Sequence, residues 1–229
     1  MISESGNMGW NRRQFLTRAV KAAAAVAAAG SAGFWFHDIN GPALSVNKPS
    51  RSELLDYAMA GLDARLAIVH GSNRRDTLQA AMKALGGIET YIGKGDRVLL
   101  KVNAAFASPP MLSATTHPEI VAEMARLCFQ TGAASVVIAD NPINNPASCF
   151  TLSGIDAAAR AEGARVFLPK ADAFKPYSVK NAKLIRNWPV LLEPLKNIDK
   201  VIGMAPVKDH HRSGASLTSI DGDSITTGT

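Results

Sequence analysis

The segment 96–140 constrains the fold more than any other part of this chain, because it combines two short apolar runs with an amphipathic stretch between them. Residues 96–103 are apolar with a polar end, and 134–139 repeat that pattern, as buried strands do. The stretch between them has apolar residues at helical spacing. A strand, a helix and a strand of these lengths predict a right-handed βαβ unit in a parallel sheet.

The start and the end of the helix in this unit are marked by the sequence. Thr116 is followed by His117, a proline and Glu119, which predicts a capping box in which the Thr116 hydroxyl accepts a free backbone N–H at the helix start. Gly132 occupies the usual position just after a helix. The helix is therefore expected to begin near Thr116 and to end near Thr131.

Apolar and polar segments alternate over most of the chain. Further strands are predicted at 64–70, 163–168 and 199–206, helices at 51–62, 76–85 and 151–162, a loop at 142–149, and an extended segment at 177–186. The central strands are expected at 98–102, 136–139 and 201–204. This order predicts the α/β class, with a mainly parallel sheet flanked by helices in Rossmann-like layers.

Several polar residues follow the predicted strands, where parallel sheets bind ligands. Each of these residues, taken alone, is explained by a structural role, since Thr116 can cap a helix and Asp140 can start a turn. As a group they form a candidate site, in which we predict His117, Asp140 and His210 as catalytic residues and Lys101, Asn103, Thr116 and Lys208 as ligand-binding residues. Lys101 and Lys208 would hold negative charge, His117 or His210 would move a proton near neutral pH, and Asp140 would orient a histidine or bind a metal.

The segment 208–212 is a second cluster of charged and polar residues, with Lys208, Asp209, two histidines and Arg212. Two histidines and a carboxylate are metal ligands in many proteins, but adjacent side chains on an extended chain point apart. Lys208 and Arg212 favour contact with an anion. A polar loop without a ligand is the third interpretation. The residues do not identify a metal or a cofactor, and the dinucleotide and P-loop glycine motifs are absent from the sequence.

The charge distribution favours an anionic partner. The formal net charge is +6, and residues 165–212 hold ten Lys or Arg against four Asp or Glu, a difference of six. These basic residues are scattered and lack interleaved aromatic residues, which argues against nucleic-acid binding. A small anionic ligand or a membrane surface fits the excess better. The sequence does not define the oligomeric state.

The amino-terminal segment resembles a twin-arginine signal peptide. Arg12 and Arg13 precede Phe15-Leu16, and an Ala-rich stretch follows at 22–33. The resemblance implies the twin-arginine export machinery as a partner and a periplasmic or exported location, with the leader either cleaved or retained as a membrane anchor. We divide the chain into a leader at 1–36, a linker with a short helix at 37–63, an α/β domain at 64–216 and an irregular tail at 217–229.

Short motifs in a fixed order resemble the DUF362 family. They are Lys101-Val102-Asn103, Thr115 to Glu119, Val136 to Asp140, Ser153-Gly154-Ile155, Lys200-Val201-Ile202 and Lys208-Asp209-His210. The resemblance covers roughly residues 96–216 and implies an α/β fold without implying a reaction. The polar tail departs from the family pattern, so a truncated or frame-shifted end is expected.

Three functions follow from these observations. The first is an exported α/β enzyme that acts on a small anionic ligand, with or without a metal. The second is a periplasmic binding or accessory protein with the same pocket and no turnover. The third is an inactive fragment.

Overall fold

In the computed structural model, the described residues are 11–37, 57–59, 61–62, 64–178, 187–210 and 214–216. The chain divides into two compact units, Met1–Pro42 and Ala43–Thr229. The first unit contains helix α1 (Arg12–Phe36), at whose start the Asn11 side chain accepts the N–H of Arg13. By length and composition α1 is able to cross a membrane, a property that many signal sequences share.

Within its described residues, the second unit combines helices with one four-stranded sheet and two two-stranded sheets. Its elements are α2 (Arg74–Ala84), β1 (Arg97–Val102), α3 (Pro118–Gln130), β2 (Ser135–Ala139), α4 (Pro146–Leu152), α5 (Ile155–Ala161), β3 (Arg165–Phe167), β4 (Phe174–Tyr177), β5 (Trp188–Leu191), β6 (Lys200–Met204), β7 (Lys208–His210) and β8 (Gly214–Ser216).

The main sheet has four parallel strands in the order β3-β2-β1-β6. The α/β class and the parallel sheet flanked by helices are therefore confirmed. The predicted strands 98–102, 136–139 and 201–204 correspond to β1, β2 and β6. The prediction that all three are central is wrong for β6, which forms an edge of the sheet among the described residues.

Strand β1 pairs with β2 on one side and β6 on the other, and both of its faces are buried. Val98, Leu100 and Val102 belong to the larger core, which includes residues of α3. Leu99 belongs to a smaller core on the other face, together with Val190 of β5. A strand that is covered on both faces has a continuous apolar sequence, which is why β1 was recognisable.

The predicted strand at 64–70 is not a strand in the structure. These residues have no regular structure, and the side chains of Leu66 and Ile68 are 85% and 90% exposed. Apolar residues satisfy the sequence pattern of a strand, but a strand also needs a neighbour to accept its backbone hydrogen bonds. Most of the helix predicted at 51–62 lies outside the described residues, and 57–59 and 61–62 are not helical.

The helix predicted at 151–162 consists of two short helices, and the loop predicted at 142–149 contains the start of the first of them. The Asn145 side chain accepts the N–H of Ser148 at 3.0 Å, which caps α4. Gly154 then adopts a φ of 74° and separates α4 from α5. The extended segment predicted at 177–186 overlaps the end of β4 at Tyr177, and 179–186 lie outside the described residues.

Candidate functional site

Lys101 and Asp140 form a buried ion pair at the carboxyl ends of β1 and β2. The Lys101 Nζ lies 2.9 Å from Asp140 Oδ1, and the two residues are 6% and 3% exposed. Asp140 Oδ2 also accepts the N–H of Ala104 at 2.6 Å. The carboxylate therefore fixes the first residues of the loop after β1 and balances the charge of Lys101.

The surroundings of this ion pair leave little room for a ligand. Leu99, Leu191 and Leu195 help to enclose a space of about 10 Å³ beside Lys101 and Asp140. A single water needs about 10–15 Å³. The structure thus brings Lys101 and Asp140 together as a structural pair, and the ligand and catalytic roles predicted for them stay predictions.

Thr116 connects the ends of two strands. Its hydroxyl accepts the N–H of Asn103 at 2.8 Å and donates to the carbonyl of Met204, the last residue of β6, at 2.6 Å. Its own N–H donates to the carbonyl of Asn103 at 2.8 Å. The predicted capping role of Thr116 is therefore wrong, because its hydroxyl is used at the edge of the sheet.

His117 takes the position that was predicted for Thr116 and caps α3. Its Nδ1 accepts the N–H of Glu119 at 3.4 Å, and Pro118 is the first helical residue. Burial lowers the pKa of His117, the charge of Arg74 lowers it further, and Glu119 opposes both effects. The imidazole is consequently neutral at pH 7, and because Nδ1 is an acceptor, the proton lies on Nε2.

Lys208 holds the loop that leads to α3. Its Nζ donates to the carbonyl of Ala114 at 2.6 Å and to the side-chain carbonyl of Asn103 at 3.2 Å. The same ammonium lies 5.5 Å from the centre of the Phe106 ring, a cation–π contact. The structure therefore places Lys208 at the carboxyl edge of the sheet beside Asn103.

A cavity of about 320 Å³ lies at the amino end of α3, and we call it the α3 cavity. Its polar wall includes Arg74 and residues 115–117, and its apolar wall includes Ile120, Met124 and Met204. Arg74 Nη1 lies 3.6 Å from Glu119 Oε2 in an ion pair whose side chains are about half exposed. This volume lies at the lower end of the range for small-molecule sites.

Thr115 is the unusual residue in this wall. It is 3% exposed, and its hydroxyl has no hydrogen-bond partner within the part of the chain that the structure describes. A buried hydroxyl without a partner costs about 1–3 kcal/mol. The hydroxyl oxygen itself is almost inaccessible, so the side chain must rotate before a molecule in the α3 cavity can pair with it.

The predicted site residues fall into two groups. Asn103 forms hydrogen bonds to both Thr116 and Lys208, and Lys101 contacts Asp140. Thr116 and His117 line the α3 cavity. Four other predicted residues are not part of its described wall, namely Lys101, Asn103, Asp140 and Lys208. His210 belongs to β7, and its side chain and residue 211 lie outside what the structure describes.

Sequence reasoning missed Arg74 and the unpaired hydroxyl of Thr115. Arg74 begins α2, far from the strand ends in the sequence, and only the packing of α2 against α3 brings it to the cavity. The sequence did indicate where α2 begins: Asn73 precedes the helix, and its side chain accepts the N–H of Asp76.

Metal-ligand clusters and reactive thiols are not found in the described regions. No group of three or more His, Cys, Asp or Glu residues is arranged there to hold a metal ion. Cys128 and Cys149 are free and buried. Burial raises the pKa of Cys128 to about 12, so this thiol is protonated at neutral pH and is unreactive.

We expect Lys101→Met to lower the free energy of unfolding by about 3–5 kcal/mol, because it leaves the Asp140 carboxylate buried without its counter-ion. Urea unfolding of the intact chain measures this change. Arg160→Gln is the matched control, since it breaks the exposed Arg160–Asp156 pair and should cost about 0–1 kcal/mol. An equal loss in the two variants would contradict the structural role of the buried pair.

We expect Thr116→Val to destabilise the protein by about 1–3 kcal/mol, because it removes the acceptor of the Asn103 N–H and the donor to Met204 while keeping the shape of the side chain. Thr116→Ser keeps the hydroxyl and should recover most of this loss. Thermal or urea unfolding measures both. The assignment fails if valine and serine have the same effect.

Comparison with known proteins places the chain in a family. The thylakoid-associated protein sll1697 of Synechocystis sp. is 38% identical over 56 residues, which are 24% of this chain and 17% of that protein. The chain thus spans about a sixth of the length of the curated relative it matches, and no solved structure matches it. The model "Domain of unknown function (DUF362)" matches residues 98–219, which is more than half of the chain. The chain therefore belongs to the DUF362 family.

Proposed function

We propose that this DUF362 protein is exported and binds a small anion in the α3 cavity. The observation that carries the proposal is the hydroxyl of Thr115, which is buried in the wall of that cavity without a described partner. An anion oxygen supplies the acceptor that this hydroxyl lacks. The same oxygen lies at the amino end of a 13-residue helix, where backbone N–H groups and the helix dipole favour negative charge.

The charged groups at the mouth of the cavity favour a singly charged ligand. Arg74 contributes one positive charge, and Glu119, 3.6 Å away, offsets part of it. His117 is neutral but has its Nε2 proton available for donation, since Nδ1 caps α3. Arg74 and Glu119 are about half exposed, so their mutual attraction is weak and an anion is able to compete for the guanidinium.

We expect Arg74→Ala to weaken the binding of acetate or inorganic phosphate about tenfold, because it removes the guanidinium, a charge-assisted hydrogen-bond donor. Glu119→Gln should strengthen it, because the competing carboxylate is lost. Thr115→Val should weaken binding while leaving the unliganded protein equally stable or more stable, since the missing hydroxyl had no described partner. Calorimetric titration and urea unfolding measure the two quantities.

Arg75→Ala is the control for these variants. Arg75 is the neighbour of Arg74 in α2 and is not part of the described cavity wall. It changes the net charge of the protein by the same amount, so it separates local from general electrostatics. If Arg75→Ala and Arg74→Ala weaken anion binding equally, the α3 cavity is not the binding site.

Turnover of the bound anion is a further proposal, and it depends on His117. A general base near neutral pH must be neutral, and the lowered pKa of His117 meets that requirement. In this scheme Asp140 acts indirectly, through the ion pair that fixes the loop after β1. A binding protein without turnover needs only the charge and the hydroxyl groups described above.

Export is proposed from the amino-terminal unit. Arg12 and Arg13 are the first residues of α1, this helix is long and apolar enough to cross a membrane, and the Synechocystis relative is a thylakoid-associated protein. The twin-arginine machinery transports folded proteins, which suits an α/β domain with a formed cavity.

We expect replacement of Arg12 and Arg13 by lysine to abolish most of the export, so that the protein stays in the cytoplasmic fraction. Arg18→Lys, in the same helix, is the matched control and should be exported normally. Cell fractionation with immunoblotting measures the distribution. Periplasmic or membrane-bound yields that are equal for all three proteins would contradict the proposal.

A further inference from the structure

A second cavity of about 410 Å³ lies next to the α3 cavity, and we call it the β6 cavity. Its wall combines residues of β6 with apolar side chains from α2 and the short turn after it, namely Met82, Leu85, Ile88 and Ile92. The two cavities share Met124, Ile202 and Gly203 in their walls. They therefore lie side by side along the edge strand β6.

Both cavities combine polar and apolar groups, and the wall of the β6 cavity includes the charged residues Arg65 and Lys200. The α3 cavity contains the unpaired hydroxyl of Thr115 with Arg74 and His117. Away from them its wall is apolar, with Leu78, Ile120 and Met124. The wall then continues past Met124 and Ile202 into the β6 cavity, where the Tyr91 hydroxyl donates to the carbonyl of Leu85 and so leaves mainly its ring as a contact surface.

The geometry points to an amphipathic monoanion as the ligand: a carboxylate bound at Thr115 and Arg74, with an acyl chain that extends past Met124 into the β6 cavity. This inference rests on the proposed function and names its ligand class. A small polar anion would leave most of the apolar wall in contact with water, whereas an acyl chain removes it from water. The nearly balanced charges of Arg74 and Glu119 favour a single carboxylate over a phosphate dianion.

The residues at the junction are suited to a chain that varies in length. Met124 is 4% exposed and contributes to the larger core. Methionine is unbranched and flexible, so it adapts its shape to a neighbouring chain. Ile202 is half-buried on the edge strand and packs against the same core. A bulky side chain at 202 is therefore expected to narrow both cavities.

The test is a titration of the full chain with acetate, butanoate, hexanoate and octanoate below their micelle concentrations. The affinity should rise with length, by up to about fourfold for each methylene that is fully buried, and Arg74→Ala should weaken the binding of every member. Octan-1-ol, which has the chain without the charge, should bind more weakly than octanoate and should be insensitive to Arg74→Ala.

Leu85→Trp tests where the acyl chain lies, because Leu85 is part of the described wall of the β6 cavity and not of the α3 cavity. It should reduce the affinity for octanoate to nearly that for acetate and leave the affinity for acetate within about twofold. Val207→Trp adds the same side chain at an 80% exposed position outside both walls and should change neither affinity.

The outcomes separate this inference from the proposed function. Acetate binding that depends on Arg74 but affinities that do not change with length would overturn the acyl chain and leave the anion site in place. Octanol that binds as tightly as octanoate would overturn the carboxylate head. If Arg74→Ala changes neither the acetate affinity nor the octanoate affinity, the anion site itself is overturned.

Discussion

The two hydrogen bonds of the Thr116 hydroxyl are the constraint on which the site depends. One reaches Asn103 after β1, and the other reaches Met204 at the end of β6. Helix α3 begins two residues later, so the same hydroxyl fixes the amino end of the helix relative to the sheet. The α3 cavity has walls from both α3 and β6, and it keeps its shape because Thr116 holds these elements together.

Lys101, Lys208 and Arg74 differ in how much free energy is needed to separate each of them from its protein partners. Lys101 is buried against Asp140, and separating that pair leaves an uncompensated buried charge at a cost of about 3–5 kcal/mol. Lys208 donates to Asn103 and Ala114, so displacing it would release the loop before α3. The Arg74–Glu119 pair is about half exposed, where an ion pair contributes only about 0–1 kcal/mol. Of the three side chains, Arg74 therefore needs the least free energy to give up its protein partner, Glu119, and bind a ligand instead.

How much the sequence predicts depends on whether the determining contact is local. β1, β2 and α3 are recognisable because their own apolar patterns record burial. The segment 64–70 has the same kind of pattern but does not pair with another strand within the described chain. The sequence of a single strand does not show whether a second strand is available to pair with it. The sequence placed Lys101 and Asp140 at strand ends, but it did not show that they neutralise each other. Arg74 was missed because only tertiary packing brings it to the cavity.

Thr115 and Thr116 are neighbouring buried threonines in the wall of the α3 cavity whose hydroxyls differ in their partners. Both are buried, yet the hydroxyl of Thr116 has two described partners and that of Thr115 has none. A valine at 115 would fill the same volume without the cost of a buried hydroxyl. In the binding proposed above, the side chain rotates to pair this hydroxyl with a ligand oxygen, and the charge of Arg74 and the amino end of α3 favour an oxygen that is anionic.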